Sequence, residues 1–380
     1  MVERGYKYRF YPTKAQEENL AKTFGCVRVV YNHFLALRQE SYIKEGKKIG
    51  YHETSALLTK LKVIEGRKWL NEVSCVPLQQ SLRHLQVAYT NFFRGTAKYP
   101  NFKKKFDGQS AEYTKSAFTF NNGNLTLAKM TSPLKIKWSR RFKGDPSTVT
   151  VSKDASGRYF VSCLIKEEIK LLKRKKCKVG IDLGLLDFAV LSTGEKISNP
   201  KVLKKYSAKL RTAQKNLSRK VKGSNNKNKA RLKVAKIHRK ISDTRKDFLH
   251  KLSNKIVNEN QVICIENLAV KNMVKNRRLA KSISDVGWGE FARQLEYKSK
   301  WYGRELVKID KFFPSSKRCS ACGYPLESLP LAVRDWQCPA CKTKHDRDLN
   351  AAKNILAVGT TVLACGENVN LVSKSISCSL

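Results

Sequence analysis

Two short apolar runs, Val179-Gly-Ile-Asp182 and Val262-Ile-Cys-Ile-Glu266, constrain this chain more than any other feature. Each is too brief for a buried helix and is apolar at successive positions, so each predicts a buried strand. Each also ends in a carboxylate. A third acid lies in His345-Asp-Arg-Asp-Leu-Asn-Ala-Ala, where Asp348 falls in the first turn of a predicted final helix. Acids at the ends of regular elements are what a metal-dependent nuclease needs. Two Mg²⁺ ions about 4 Å apart must be held by carboxylates, so that one activates water and the other steadies the leaving oxygen of a phosphodiester.

Each acid also has a plainer role. Asp182 is placed to cap the turn near Gly184, Glu266 to cap a following helix, and Asp348 to complement a helix dipole. His345, Asp346 and Asp348 compete for the third position. Asp348 precedes Ala351 and Ile355 on the core-facing stripe and so belongs near the sheet edge, whereas Asp346 projects ahead of the helix.

The charge balance points to a polyanion. The chain has 76 Lys+Arg against 31 Asp+Glu, a net charge of +45 over 380 residues. Such a surface binds nucleic acid strongly and with little regard to sequence. Charge alone is equally suited to a ribosomal or architectural protein; the three acids favour the nuclease. With 41% hydrophobic residues the chain has material for real cores across two or three domains. There is no apolar run of membrane-spanning length and no apolar signal stretch after Met1, which predicts a cytoplasmic or nucleoid-associated protein without a membrane partner.

The spacing of four of the 11 cysteines is specific. Cys319-Ser-Ala-Cys322 and Cys338-Pro-Ala-Cys341 are two knuckles whose thiolates complete a tetrahedral shell, which predicts one structural Zn²⁺ with no open position. Cys365 and Cys378 read as tail thiols.

Along the chain, Tyr6-Lys-Tyr-Arg-Phe-Tyr alternates as a strand with one cationic face, and Thr13 is placed to cap a long amphipathic helix. Residues 13–105 read as a helical module. Short β runs separated by Asn-Gly, Gly-Asp-Pro and Ser-Gly turns follow, up to residue 172, and predict a small antiparallel barrel or sandwich that the first strand joins. A mixed α/β domain, compatible with a ribonuclease H-like fold, begins after the charged linker at 171–178. Residues 201–255 hold 20 Lys+Arg and only 2 Asp+Glu, too one-sided for internal pairing. They predict a helical hairpin turning at Gly223, with Lys209, Lys215, Arg219, Lys233, Lys236 and Arg239 facing phosphates.

The blocks Gly180-Ile-Asp-Leu-Gly, Ile265-Glu-Asn-Leu, Ser282-Ile-Ser-Asp-Val-Gly-Trp, Phe313-Pro-Ser-Ser-Lys-Arg-Cys-Ser-Ala-Cys-Gly and Asp346-Arg-Asp-Leu-Asn-Ala-Ala-Lys-Asn-Ile resemble TnpB (OrfB), the transposon-encoded RNA-guided nucleases related to type V CRISPR effectors. So do Arg9-Phe-Tyr-Pro-Thr, Tyr31-Asn-His-Phe and Tyr89-Thr-Asn-Phe-Phe, and the resemblance spans residues 1–358. It implies a multidomain α+β protein. A wedge β-barrel (1–12 and 106–172) would be interrupted by a helical recognition domain (13–105). Residues 359–380, weakly periodic and outside the resemblance, read as a C-terminal tail, and before them the resemblance implies a RuvC-like α/β nuclease (173–318 and 342–358) with a helical insertion at 200–260 and a zinc ribbon at 319–341. It further implies a guide RNA from the transposon's right end, cleavage of double-stranded DNA beside a short transposon-adjacent motif, and Asp182, Glu266 and Asp348 as the Mg²⁺ ligands. In this family the motif is read by the recognition and wedge domains. Tyr51, Ser55, Gln79 and Gln80 are the base-edge readers expected there, since glutamine pairs bidentately with adenine.

Overall fold

The computed structural model describes residues 1–105, 108–330 and 332–364. The tail beyond 364, with Cys365 and Cys378, lies outside the described residues, as does Phe106 at the expected wedge boundary. The chain divides into two compact units, residues 1–168 with 231–236 and residues 169–230 with 237–380.

In the first unit, β1 (Val2–Tyr11) is followed by α1 (Lys14–Glu45), α2 (Tyr51–Leu61) and α3 (Cys75–Phe93). Thr13 accepts from the Gln16 amide while the Gln16 side chain accepts from the Thr13 amide, a capping box that fixes where α1 starts. Six strands follow: β2 (Gln109–Thr114), β3 (Phe118–Asn121), β4 (Asn124–Leu127), β5 (Lys135–Lys137), β6 (Thr148–Lys153) and β7 (Tyr159–Glu167). Asn122 and Gly123 both take positive φ, the turn that joins β3 to β4 with the right twist.

The barrel expected from these runs is an open sheet instead. Its order is β2-β6-β7-β1-β5, all antiparallel, and β3 and β4 form a separate two-stranded ribbon. β1 pairs along nearly its whole length with β7, but only its last three residues meet β5, so β5 ends the sheet as a short edge and does not reach β2. Alternation assigns faces to strands; it does not assign edges. Tyr6, Tyr8 and Phe10 on the inward face of β1 join Leu20, Phe24, Leu78 and Leu85 of the helices in one apolar core.

In the second unit, β8 (Lys178–Leu183), β9 (Asp187–Leu191) and β10 (Lys196–Ser198) form a meander. The chain then leaves the sheet for α4 (Val202–Ser218) and α5 (Asn225–Glu259), turning through Gly223 at positive φ and the capping Ser224. β11 (Val262–Glu266), α6 (Val270–Met273), α7 (Ala280–Val286), α8 (Trp288–Tyr302) and β12 (Glu305–Ile309) follow. The small ribbon β13 (Asp335–Gln337) with β14 (Lys344–Asp346) leads into α9 (Arg347–Ala364). The helix therefore runs past Gly359, so residues 359–364 belong to it and not to a tail.

The sheet order is β10-β9-β8-β11-β12, antiparallel on the β8 to β10 side and parallel from β8 through β12. Both faces are covered. Val179, Ile181, Ile263 and Ile265 pack with Leu249, Ile256, Phe291 and Leu295 of α5 and α8, while Val262 and Cys264 pack with Ile355 of α9. That explains why these strands read as unbroken apolar runs. Among the described residues, no helix is long and apolar enough to cross a membrane.

Candidate active site

β8 pairs in parallel with β11 from Lys178 opposite Val262 to Ile181 opposite Ile265. The next step along this register places Asp182 beside Glu266, on strands about 4.8 Å apart. Because side chains alternate, Gly180 and Asp182 share one face with Cys264 and Glu266. That face belongs to α9.

The approach of α9 is unusually close. A Cβ on Gly180 would stand 2.1 Å from the Ala352 carbonyl oxygen, and one on Gly359 would stand 2.3 Å from Cys264 Sγ. Glycine at these two positions lets the helix backbone rest on β8 and β11. Ala352 lies one helical turn beyond Asp348, so the contact that seats the helix also delivers Asp348 to the end of β8.

The electrostatics register this convergence. The Asp182 carboxyl is pushed up to about 7, first by burial and then by Glu266 and Asp348, with Arg347 opposing. The three carboxylates nevertheless do not close into a tight cluster. Among the described residues, only the four cysteines bring three or more ligand atoms within 4.8 Å of one another. Two of the acids are held by other partners. Ser315 Oγ donates to Glu266 Oε1 at 2.5 Å, and Arg334 Nη1 donates to both oxygens of Asp348 at 3.0 Å.

Asp346 has a different task. It accepts from the Leu349 amide at 2.9 Å, capping α9, and pairs with Lys196 at 2.6 Å. Burial pushes its carboxyl up, but the bonds from Lys196 and Leu349 outweigh this and hold it below the usual range. His345 also turns away from the acids, with Nε2 3.0 Å from Cys319 Sγ.

At the cysteines, Cys319 and Cys341 sulfurs lie 3.6 Å apart and those of Cys322 and Cys338 3.7 Å apart. A tetrahedral site with Zn–S bonds of about 2.3 Å requires sulfurs about 3.8 Å apart. The set fits zinc. The knuckles are built alike: the Gly323 amide donates to the Cys319 carbonyl and the Lys342 amide to that of Cys338, with both Gly323 and Lys342 at positive φ.

The surface residues expected to touch nucleic acid fall in two places. Tyr51 and Ser55 share a face of α2, Gln79 and Gln80 lie in the first turns of α3, and Arg83 of α3 donates to the Tyr51 hydroxyl at 3.2 Å. Lys209 and Lys215 are exposed on α4, Arg219 is exposed at its end, and Lys233, Lys236 and the half-buried Arg239 lie on α5. Residues 231–236 group with the first unit and the rest of the hairpin with the second. None of these six cations pairs with an acid among the described residues.

Residues 161–277 match a family model described as a probable transposase, OrfB_IS605, and residues 288–355 match one for a Cas12f1-like TNB domain. A protein of Streptomyces pristinaespiralis named "Putative RNA-guided DNA endonuclease" is 52% identical over 371 residues, covering 97% of this chain and 92% of that one. The chain belongs to the TnpB (OrfB) family. A second relative, the similarly named InsQ of Escherichia coli K12, is 33% identical over 383 residues, covering 96% of this TnpB chain and 94% of its own. The fold is also shared with Cas12f1 in its complex with single-guide RNA and target DNA, at a TM-score of 0.56 and 14% identity over 93% of this chain and 98% of that one. A helix-turn-helix family model matches residues 1–48 of the TnpB chain, yet these residues form one strand and one uninterrupted 32-residue helix.

The contacts of Ser315 and Arg334 with the acids are visible only in the fold. Ser315 follows the Phe-Pro pair just ahead of the zinc knuckle, and Arg334 sits in the ribbon; neither has a spacing that points to a carboxylate. Asn350 and Asn354, one turn apart and both buried on α9, are the available signal that the helix serves polar partners.

Proposed function

We propose that this protein is an RNA-guided DNA endonuclease, with Asp182, Glu266 and Asp348 holding two catalytic Mg²⁺ ions. The observation that carries the reading is geometric: the β8–β11 register and the seating of α9 on Gly180 bring Glu266 and Asp348 towards Asp182. Two further acids on neighbouring elements press on it, a costly arrangement in a chain this basic unless cations are to be bound. When bound, two Mg²⁺ ions supply an activated water and stabilise the leaving oxygen of the phosphodiester. The residues of the chain do the rest. β8 and β11 fix two carboxylates side by side, α9 brings the third, and Ser315 orients Glu266.

The sheet order and the antiparallel meander followed by parallel strands support a RuvC-like, ribonuclease H-like nuclease, with α4 and α5 as its helical insertion and the four cysteines as its zinc ribbon. The open sheet of the first unit is the wedge domain and α1 to α3 the recognition domain. The guide RNA comes from the right end of the transposon and pairs with one strand of double-stranded target DNA, so base pairing and not the protein selects the target. Tyr51, Ser55, Gln79 and Gln80 read a short transposon-adjacent motif in duplex form. The cations of α4 and α5 follow RNA or heteroduplex phosphates. The protein acts in the cytoplasm, on the nucleoid.

The test is reconstitution. RNA copurifying with the chain is sequenced, and a duplex carrying the matching sequence beside a randomised flank is offered with Mg²⁺. Cleavage that depends on the RNA and disappears in Asp182→Ala, Glu266→Ala and Asp348→Ala establishes the activity. Guide binding without any cleavage by the unaltered protein overturns it in favour of a non-enzymatic binder.

A further inference from the structure

Among the described residues, Ser315 is the one group that hydrogen-bonds to the Glu266 carboxylate. Its hydroxyl donates to Oε1, while no hydrogen bond from the described residues reaches Oε2. A carboxylate offers about four lone-pair sites, so this bond restrains the side chain and leaves the second oxygen open to a cation.

Ser315 is itself fixed. It is 5% exposed, its amide donates to the Phe313 carbonyl at 2.8 Å, and its carbonyl accepts from Asn354 Nδ2 at 2.8 Å. The same Asn354 amide donates to the Arg318 carbonyl at 2.6 Å. One turn earlier on α9, Asn350 Nδ2 donates to that carbonyl at 2.7 Å, while its Oδ1 accepts from the Ser320 amide at 2.8 Å. Arg318 and Ser320 flank Cys319, the first sulfur of the zinc set. The result is a polar bracket of short bonds. It runs from the first knuckle through two asparagines of the helix that carries Asp348, and ends on Glu266.

We infer that Ser315 is a positioning residue for metal binding, presetting Glu266 through its hydroxyl, and that Asn350 and Asn354 tie this setting to the zinc knuckle. The inference rests on Glu266 being a metal ligand. Partners of this kind restrict a ligand to its binding rotamer, and their loss typically weakens metal affinity by about 10- to 100-fold.

The experiment uses the full chain with its bound RNA and measures Mn²⁺ binding by paramagnetic resonance and Mg²⁺ binding by calorimetry. Zinc content, RNA affinity and melting temperature are followed in parallel. Ser315→Ala is expected to weaken divalent binding by about 10-fold or more with zinc and RNA binding unchanged, and Ser315→Thr, which keeps the hydroxyl, to restore it. Asn354→Ala is expected to weaken it in the same direction. Should Ser315→Ala not fold, Ser315→Cys, close in volume but a weak donor, decides in its place. Unchanged divalent affinity in a folded Ser315→Ala or Ser315→Cys overturns the inference. So does a loss that Ser315→Thr fails to restore. The unaltered protein separates this failure from the larger one: if it binds no Mn²⁺ or Mg²⁺, the assignment of the three acids is wrong.

Discussion

Gly180 lies under Ala352 so closely that the smallest side chain at position 180 would enter the helix backbone, with Cβ 2.1 Å from the Ala352 carbonyl oxygen. Two residues along β8 stands Asp182, and one turn back along α9 stands Asp348. The packing contact and the candidate site are one construction. Gly180→Ala is expected to push α9 outward, destabilise the chain by about 1–3 kcal/mol or more, and abolish cleavage without contacting metal. Thermal unfolding alongside a cleavage assay checks it; full activity would show that the helix can shift without disturbing the acids.

Asp346 and Asp348 are expected to separate cleanly. Asp348→Ala should eliminate cleavage and leave folding nearly unchanged, whereas Asp346→Ala should retain cleavage and lose about 1 kcal/mol of stability with the helix cap. Arg334→Ala should tighten Mg²⁺ binding to the RNA-free protein, because a competing cation leaves Asp348. Cleavage lost only with Asp346→Ala would exchange the two roles.

Asp182 gives the metal-free protein a pH dependence of definite sign. Its carboxyl titrates near the ordinary 3.8 when unfolded and at about 7 when folded, so between these values the folded chain holds the extra proton. Stability is therefore complete at low pH on this account, falls as pH rises towards 7, and levels off above. In Asp182→Asn this part of the slope should vanish, making the variant the more stable one at pH 8 without metal. Adding Mg²⁺ should stabilise the unaltered protein more above pH 7 than below. Melting temperatures across pH settle it.

Cys338→Ser leaves three sulfur ligands and should release zinc, unfolding the ribbon between residues 319 and 341. Because α9 hydrogen-bonds to the Arg318 carbonyl, cleavage should fall with the zinc even though no acid is altered. Metal analysis that finds no zinc in the purified, active protein would refute this.

The two nucleic-acid surfaces should respond differently. Neutralising Lys209, Lys215, Arg219, Lys233, Lys236 and Arg239 should weaken RNA binding and flatten its salt dependence by roughly one unit of slope per lost phosphate contact. Gln79→Ala or Gln80→Ala should leave that slope alone and change which flanking motifs support cleavage in a randomised library. An unchanged slope would mean the hairpin is merely solvated, and an unchanged motif preference would remove the glutamines from the reading surface.

What the sequence made legible follows the range of the interactions involved. The zinc knuckles, the capping box at Thr13 and the buried runs of β8 and β11 are local patterns, and each could be read from a few neighbouring residues. Whether β5 reaches β2 depends on how far β1 extends past it, so the open sheet could not be read from alternation. Ser315 and Arg334 reach their carboxylates only through the tertiary fold. The end of α9 is hidden for a related reason: periodicity weakens after Gly359, yet glycine is needed there in mid-helix so that Cys264 can pass beneath it.

The seating of α9 on β8 also governs the order in which the chain matures. Gly180 and Ala352 are joined late in the sequence, after the meander, the hairpin, two further strands and the ribbon have all been laid down between them. Contacts of such long range form slowly, because the intervening chain must lose its freedom before they reward it. Local elements with their cationic surfaces can form earlier, so on the route to the native state the ability to hold a polyanion should precede the ability to cut one.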